Sequence, residues 1–414
     1  MVPASVRRRR PAAPLALAAA IALLLAGAAA AADGGSGGKS GGGGGGGKGS
    51  GADGAGADWK PASRDKARAA GAAMWHKQLH QTAQIVVNGQ RMGDLLGPVL
   101  KHTYELPPTQ VQRSLVYLGP NARLRRVVHD LIVGRPVRVG AVGGSITHGA
   151  KASKIGETDW FSLVGRYLKD AFPRSNVTAR NGALPATPSA LMNMCLETYI
   201  DADVDLLFVE YVANDGSNAH DLVKPKVYER LIRKILQKRR APAVVLMQLM
   251  PKGMAFAPGN KEKVPFAATL EDVYGAQAQY YDAPWLSFRN AMWRMAELHR
   301  GGFNWTDFMW DVDFMHPIDP GMRAICDAVV HLLQETALSL LLRPLDEADR
   351  EMVREPLPPP MYPGNHEARN LACKYGLEFS PLVDAAGSGG WEFINEGGAK
   401  KPKQHAAHQV QLHA

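Results

Sequence analysis

The chain has 414 residues, 46% of them hydrophobic, so its middle can bury a substantial globular core, as one large domain with appendages or as two domains. Its formal net charge is +9, but Arg7, Arg8, Arg9 and Arg10 supply four of those units, and no basic stripe interleaved with aromatics follows them, which argues against nucleic-acid binding. Cys195, Cys326 and Cys373 show neither CxxC nor zinc-ligand spacing, and three cysteines cannot form a complete disulfide framework, so they do not decide the redox compartment.

Residues 1–32 join a basic cluster to an apolar run, Leu15 to Ala32, that ends in small residues near Ala30. That pattern reads as a secretory signal, with an uncleaved membrane anchor and an organelle transit peptide as its rivals. Residues 33–57 are mostly Gly with Ser, Lys, Ala and Asp, have nothing to bury, and read as a flexible tether. From 58 to 134 the chain regains apolar content and is expected to form a helical extension packed on the domain that follows. Leu124, Val127, Val128, Leu131 and Ile132 repeat at helical spacing before Gly134. His76 and His80 stand four apart on one helix face, but no third ligand with suitable spacing accompanies them, so a partly exposed face is the preferred explanation over a metal site.

The stretch 135–343 alternates strand and helix patterns, which demands a parallel sheet covered on both faces. Five strands are expected near 137–143, 176–183, 205–212, 243–249 and 284–288. Helices are expected near 159–171, 188–199, 225–239, 268–280, 289–299 and 320–341, the last opened by Asp319 as N-cap and Pro320 at its first position. Beyond residue 343 the chain is Pro-rich and expected to be largely irregular, with a short β-like patch (Cys373 to Phe379, Trp391 to Ile394) and a tail carrying His405, His408 and His413.

In open parallel sheets chemistry gathers outside the carboxyl ends of the strands. The first strand ends in Gly143-Gly144-Ser145, which delivers a hydroxyl into a tight turn where the glycines allow close backbone approach. Asn214 follows the third strand, and Asp313 stands three residues before His316 on a turn ahead of the last helix. A serine hydroxyl needs a base to take its proton, and a carboxylate on the far ring nitrogen fixes the imidazole tautomer. Ser145, His316 and Asp313 can fill those roles. The GxSxG elbow would need Gly where Thr147 stands, and a phosphate loop would need Gly-Lys-Ser/Thr; neither is present.

Four ordered segments, Gly143-Gly144-Ser145-Ile146-Thr147, Asn181-Gly182-Ala183-Leu184-Pro185-Ala186-Thr187, Val212-Ala213-Asn214-Asp215 and Asp313-Phe314-Met315-His316-Pro317, resemble the four blocks of the SGNH hydrolase superfamily, or GDSL-like esterases. The resemblance covers about residues 136–343. It implies a flavodoxin-like three-layer α/β fold with Ser145 as nucleophile, His316 as base, Asp313 as orienting acid, and an oxyanion hole from the Ser145 N–H, the second-block N–H and the Asn214 amide. Counting from Asn181 places Ala186 where the family has Gly, a position that strains alanine if it requires positive φ. The expected activity is a serine esterase on short acyl esters, with an O-acetyl group on a carbohydrate as preferred substrate and no metal or organic cofactor. An O-acyltransferase using the same serine and a non-catalytic carbohydrate- or matrix-binding protein are the alternatives. A secreted or lumenal location, with membrane attachment only through an uncleaved N-terminal anchor, completes the expectation. Asn176-Val177-Thr178 and Asn304-Trp305-Thr306 are N-glycosylation acceptors in that setting, Asn304 being the better placed.

Overall fold

The computed structural model describes residues 64–87, 90–255, 268–365, 373–374 and 381. The signal-like segment 1–32, the Gly-rich 33–57, most of the β-like patch and the histidines of the tail lie outside the described residues. The described residues cluster as one compact unit.

Six strands build the central sheet: β1 Leu115–Tyr117, β2 Val137–Gly143, β3 Val177–Asn181, β4 Leu206–Glu210, β5 Ala243–Gln248 and β6 Trp285–Ser287, in the spatial order β1-β6-β5-β4-β2-β3. The five expected strands are all present and pair in parallel, with Val139 of β2 facing Ala179 of β3 on one side and Leu206 of β4 on the other. The sixth is a correction to the expected five-stranded parallel sheet. Leu115–Tyr117 lies in the stretch read as helical and adds antiparallel to β6 at the sheet edge. Three residues are too few to show an alternating period.

The residues of β4 and β5 are all buried, as strands covered on both faces must be. Alternate side chains supply two separate cores. Leu206 and Phe208 pack with helices α2 Met92–Leu100, α3 Pro108–Ser114, α4 Ala122–Val133, α5 Trp160–Ala171 and the long helix Asp319–Leu342, whereas Leu207 and Val209 face α6 Ser189–Tyr199, α7 Lys224–Leu236 and α8 Leu270–Tyr280. Helices on both faces of a mostly parallel sheet make this a three-layer α/β domain. The long helix, α9, is apolar and long enough to span a bilayer by length alone, but 72% of its apolar window is buried in the domain.

Two helix predictions need adjustment. The helix expected over 289–299 is a five-residue α-turn, Phe288–Met292, continued by a π-turn, Trp293–Glu297. Asp319 does not cap α9. Its carboxylate instead accepts bonds from Ser153 N, Ser153 Oγ and Thr158 Oγ1 (2.7, 2.6 and 3.1 Å), leaving Ile318 in the extended N-cap position without a side-chain bond.

The segments flanking the central alternation pack into the same unit. Trp75, on helix α1 Arg64–Gln84, stacks on Tyr104 (3.9 Å between centroids) and donates to the Leu106 carbonyl, while buried Asp327 of α9 accepts from Glu105 N, Leu106 N and His102 Nε2. After residue 343, in the stretch expected to be largely irregular, the chain forms a further helix, α10 Glu347–Arg354. Asp349 there accepts a two-pronged bond from buried Arg125 of α4 (2.9 and 3.1 Å). Residues 357–365 then cross α7, where fully buried Glu229 accepts from Tyr281 Oη, Met361 N, Tyr362 N and Asn365 Nδ2. Cys195 of α6 is disulfide-bonded to Cys373, and Cys326 is a buried free thiol that burial pushes up, away from reactivity.

One buried group on α9 makes stability pH-dependent. His331 is 8% exposed, and burial lowers its pKa to about 4, since Glu335 Oε1 at 3.9 Å is too distant to hydrogen-bond the ring. The fold keeps the imidazole neutral while the unfolded chain takes up a proton below about pH 6.5. Stability should therefore fall by about 1.4 kcal/mol per unit as the pH drops from about 6.5 towards 4. Urea unfolding near pH 7 and near pH 4.5 checks this; His331→Gln should flatten that part of the profile.

Candidate active site

β2 is the mount. Its buried run stops at Gly143, where a Cβ would lie 2.6 Å from Thr147 Oγ1 and 2.9 Å from Glu210 Oε2, so only glycine fits. Gly144 follows at φ −92° and ψ −148°, and Ser145 opens a single helical turn, Ser145–His148, closed by Gly149 at φ 95°. This turn presents the Ser145 hydroxyl upward while Ile146 and Thr147 point into the core.

Two polar residues hold the turn from below, Glu210 fully buried and Asn181 exposed at the sheet edge. Glu210, the last residue of β4, accepts from Thr147 Oγ1 (2.9 Å) and from Gly144 N (3.4 Å). Burial pushes its carboxyl up to about 7 against the lowering effect of those two donors, and Asp215 nearby adds to the rise. Asn181, at the end of β3, donates to the Thr147 carbonyl (2.8 Å) and accepts from Ala183 N (3.0 Å). Gly182 N and Leu184 N continue the pairing past the strand by bonding Ala141 O and Gly143 O, which lays residues 182–187 beside the serine.

The structure brings the predicted catalytic residues together. Ser145 Oγ is 2.8 Å from His316 Nε2, and His316 Nδ1 is 2.7 Å from Asp313 Oδ2. The other Asp313 oxygen accepts from Met315 N (2.7 Å) and His316 N (3.2 Å), so the carboxylate braces both the ring and its backbone. Partial burial alone would raise the Asp313 pKa; those N–H donors and the imidazole outweigh it and hold the carboxyl below its usual range. An ionised Asp313 can only accept, so the ring proton sits on Nδ1 and Nε2 is left to accept from the serine hydroxyl. The turn is closed by Trp310 N to His316 O and Phe314 N to Trp310 O, both 2.9 Å, with Phe314 at φ 50°.

A cleft of about 300 Å³ opens over this pair. Ile146, Pro185, Ala213 and Met315 form apolar walls, and Ser145, Ala186, Asn214 and His316 also line it. Asn214 lies on the one-turn helix Val212–Asp215 after β4, and its amide sits so close to Gly144 that any side chain there would collide with it. Next to it Asp215 is buried and accepts from Ser189 N (2.9 Å) and Tyr274 Oη (2.6 Å), which ties this turn to the start of α6 and to the middle of α8. All three expected oxyanion donors, Ser145, Ala186 and Asn214, thus border one cavity. Among the described residues the Ala186 N–H has no acceptor within the protein.

Ala186 has φ 60°, the left-handed region that glycine tolerates and alanine adopts at a cost of about 1–2 kcal/mol. Ala186→Gly relieves that strain but gives the unfolded chain more freedom, so melting temperature and turnover should stay level or rise slightly. Ala186→Val, β-branched at positive φ, should lower both. Thermal melts and ester turnover of the two variants check the ranking.

Other candidates lie elsewhere. His76 and His80 are exposed on the first helix, and among the described residues no group of three His, Cys, Asp or Glu side chains could hold a metal. Asn176 and Asn304 are both exposed, Asn176 just before β3 and Asn304 hydrogen-bonded to His299. His148 is half-buried beside the cleft but does not line it.

Comparison with known proteins decides the family. Residues 141–324 match the GDSL-like Lipase/Acylhydrolase family, a span that holds all five site residues. This segment is a GDSL-like hydrolase domain. No curated protein sequence matches the chain. Among solved structures the GDSL-like domain resembles a two-domain esterase described as active on acetylated mannans, co-crystallized with mannopentaose, at 20% identity and TM-score 0.50 over 61% of this chain and 60% of that one. A second structure of that esterase aligns at 22% identity and TM-score 0.48, over 55% and 56%. Axe2, an acetylxylan esterase from Geobacillus stearothermophilus, aligns at 15% identity and TM-score 0.37, over 48% of this chain and 94% of its own. The chain thus spans under two thirds of the two-domain esterase, and identities this low speak for the fold alone.

Sequence reasoning missed Glu210, Asn181 and Thr147 as supports of the site. Glu210 carried a readable signal, an acid closing the otherwise apolar run Leu206–Val209, because a buried strand tolerates a carboxyl only where something pairs with it.

Proposed function

We propose that the protein hydrolyses short-chain carboxylic esters through an acyl-enzyme on Ser145, with an O-acetyl group on a carbohydrate as the preferred substrate. The observation that carries this is the unbroken chain Ser145 Oγ, His316 Nε2, His316 Nδ1, Asp313 Oδ2, at 2.8 and 2.7 Å, under the cleft. His316 takes the hydroxyl proton as Ser145 Oγ bonds to the ester carbon. The resulting oxyanion lies towards the Ser145 and Ala186 N–H groups and the Asn214 amide, and the C–O bond to the alcohol breaks as His316 returns the proton to the departing oxygen. Water then adds to the acyl group with His316 again as base, and the acid leaves with Ser145 restored.

The apolar walls at Ile146, Pro185, Ala213 and Met315 suit a small acyl group. The fold match to an esterase described as active on acetylated mannans makes carbohydrate O-acetyl groups the first substrates to try. A disulfide between Cys195 and Cys373 suits an oxidising compartment, which agrees with secretion through residues 1–32 and with exposed acceptor sites at Asn304 and Asn176.

Labelling with a fluorophosphonate tests the proposal. Mass spectrometry should find a single adduct on the peptide containing Ser145, formed at a rate that falls as chromogenic acetyl ester is added. An adduct elsewhere, or none while ester is still being cleaved, would overturn the nucleophile assignment.

A further inference from the structure

The rim between the two catalytic turns carries a second pair of side chains. Lys151 follows Gly149 and Ala150, whose N–H groups both donate to the Ser145 carbonyl (3.1 and 2.9 Å), and Trp310 donates its own N–H to the His316 carbonyl (2.9 Å). Each partner is therefore fastened, within one residue, to the backbone of a residue at the centre of the site. Their side chains meet across the gap, with Lys151 Nζ 3.4 Å from the centroid of the Trp310 ring.

Three observations set Lys151 apart. It is exposed and stands at φ 71°, a conformation that L-residues keep only where their surroundings impose it. Among the described residues no carboxylate lies within ion-pair distance of it, whereas Lys154 pairs with Glu157 at 2.6 Å. The acids nearest in sequence to its partner are engaged or solvated: Asp313 holds His316, Asp319 is bonded by Ser153 and Thr158, and Asp311 is exposed. The exposed Lys151 ammonium rests on a half-buried indole with water on its other side, so an anionic partner can draw it away.

Chemistry fixes what comes to this rim. His316 must return its proton to the departing alcohol oxygen, so the alcohol half of the ester lies on the His316 side, towards Trp310. We propose that Lys151, positioned by Trp310, forms the subsite for the alcohol half, and that this half is an acidic sugar whose carboxylate the ammonium takes. The proposal presupposes the Ser145 acyl-enzyme and names its substrate class.

The test compares kcat/KM on acetylated oligogalacturonides, acetylated neutral xylo-oligosaccharides and 4-nitrophenyl acetate, for the full chain and for Lys151→Gln, Lys151→Arg and Trp310→Leu. For the acidic substrate alone, raising salt from about 0.02 to about 0.5 M should lower kcat/KM several-fold in the parent. Lys151→Gln should lower it about fivefold through KM and remove the salt dependence, Lys151→Arg should restore it, and Trp310→Leu should lie between. Turnover of 4-nitrophenyl acetate should be unchanged in Lys151→Gln and Lys151→Arg. Equal kinetics on acidic and neutral sugars, or a Lys151→Gln loss shared by all three substrates, overturns the subsite. Absence of Ser145-dependent turnover of 4-nitrophenyl acetate would instead overturn the acyl-enzyme.

Discussion

Ser145→Ala should lower kcat on 4-nitrophenyl acetate by about 10⁴-fold or more, with the melting temperature within a few degrees of the parent. Ser145 is half-buried and its hydroxyl bonds only His316 among the described residues, so little folding energy goes with it. His316→Ala should cost a similar factor, and the double variant should be no slower than either single one. Residues that act on one proton lose their joint effect once, because a serine without a base and a base without a serine are equally idle. Initial rates of the three variants settle the matter. A Ser145→Ala enzyme retaining more than about a tenth of parent activity, or losses that multiply in the double variant, would show that the 2.8 Å contact is not the reacting pair.

Asn214→Ala should lower kcat by about 10² to 10³ with little change in KM, equivalent to about 3–4 kcal/mol of lost transition-state stabilisation. The amide has no reason to favour the ground-state ester, because its benefit appears only as negative charge grows on the carbonyl oxygen. Its placement is rigid: Val212–Asp215 is one helical turn, Asp215 anchors the end of that turn through Ser189 and Tyr274, and Gly144 leaves room for the amide and nothing else. Steady-state kinetics separates the outcomes. A rise in KM at constant kcat would mean that Asn214 holds substrate, and would remove it from the oxyanion hole.

The layered sheet was legible because strands buried on both faces leave unbroken apolar runs, as in Ala243–Met247, and because helices between them carry a clear period. What escaped was short or dependent on partners. Leu115–Tyr117 becomes a strand only because β6 offers a free edge, and Asp319 has every local feature of an N-cap until Ser153 and Thr158 compete for its carboxylate. In the site, the residues proposed to meet substrate were marked by their order along the chain and their positions near strand ends. The supporting roles of Asn181 and Glu210 were not, since those roles lie in contacts 34 and 66 residues away in sequence. The left-handed backbone at Ala186 could be suspected only as a departure from a glycine.

The C-terminal crossing over α7 bears on how the protein is produced. A recombinant fragment trimmed to the family-matched span, or even to the end of α9, would strip Met361, Tyr362 and Asn365 from the Glu229 carboxylate and Asp349 from the Arg125 guanidinium. Both charges would then face a wet, half-opened groove, and the exposed apolar flank beside them would invite aggregation. Soluble, active material therefore calls for boundaries that reach at least Asn365, and Cys373 where the disulfide is to form.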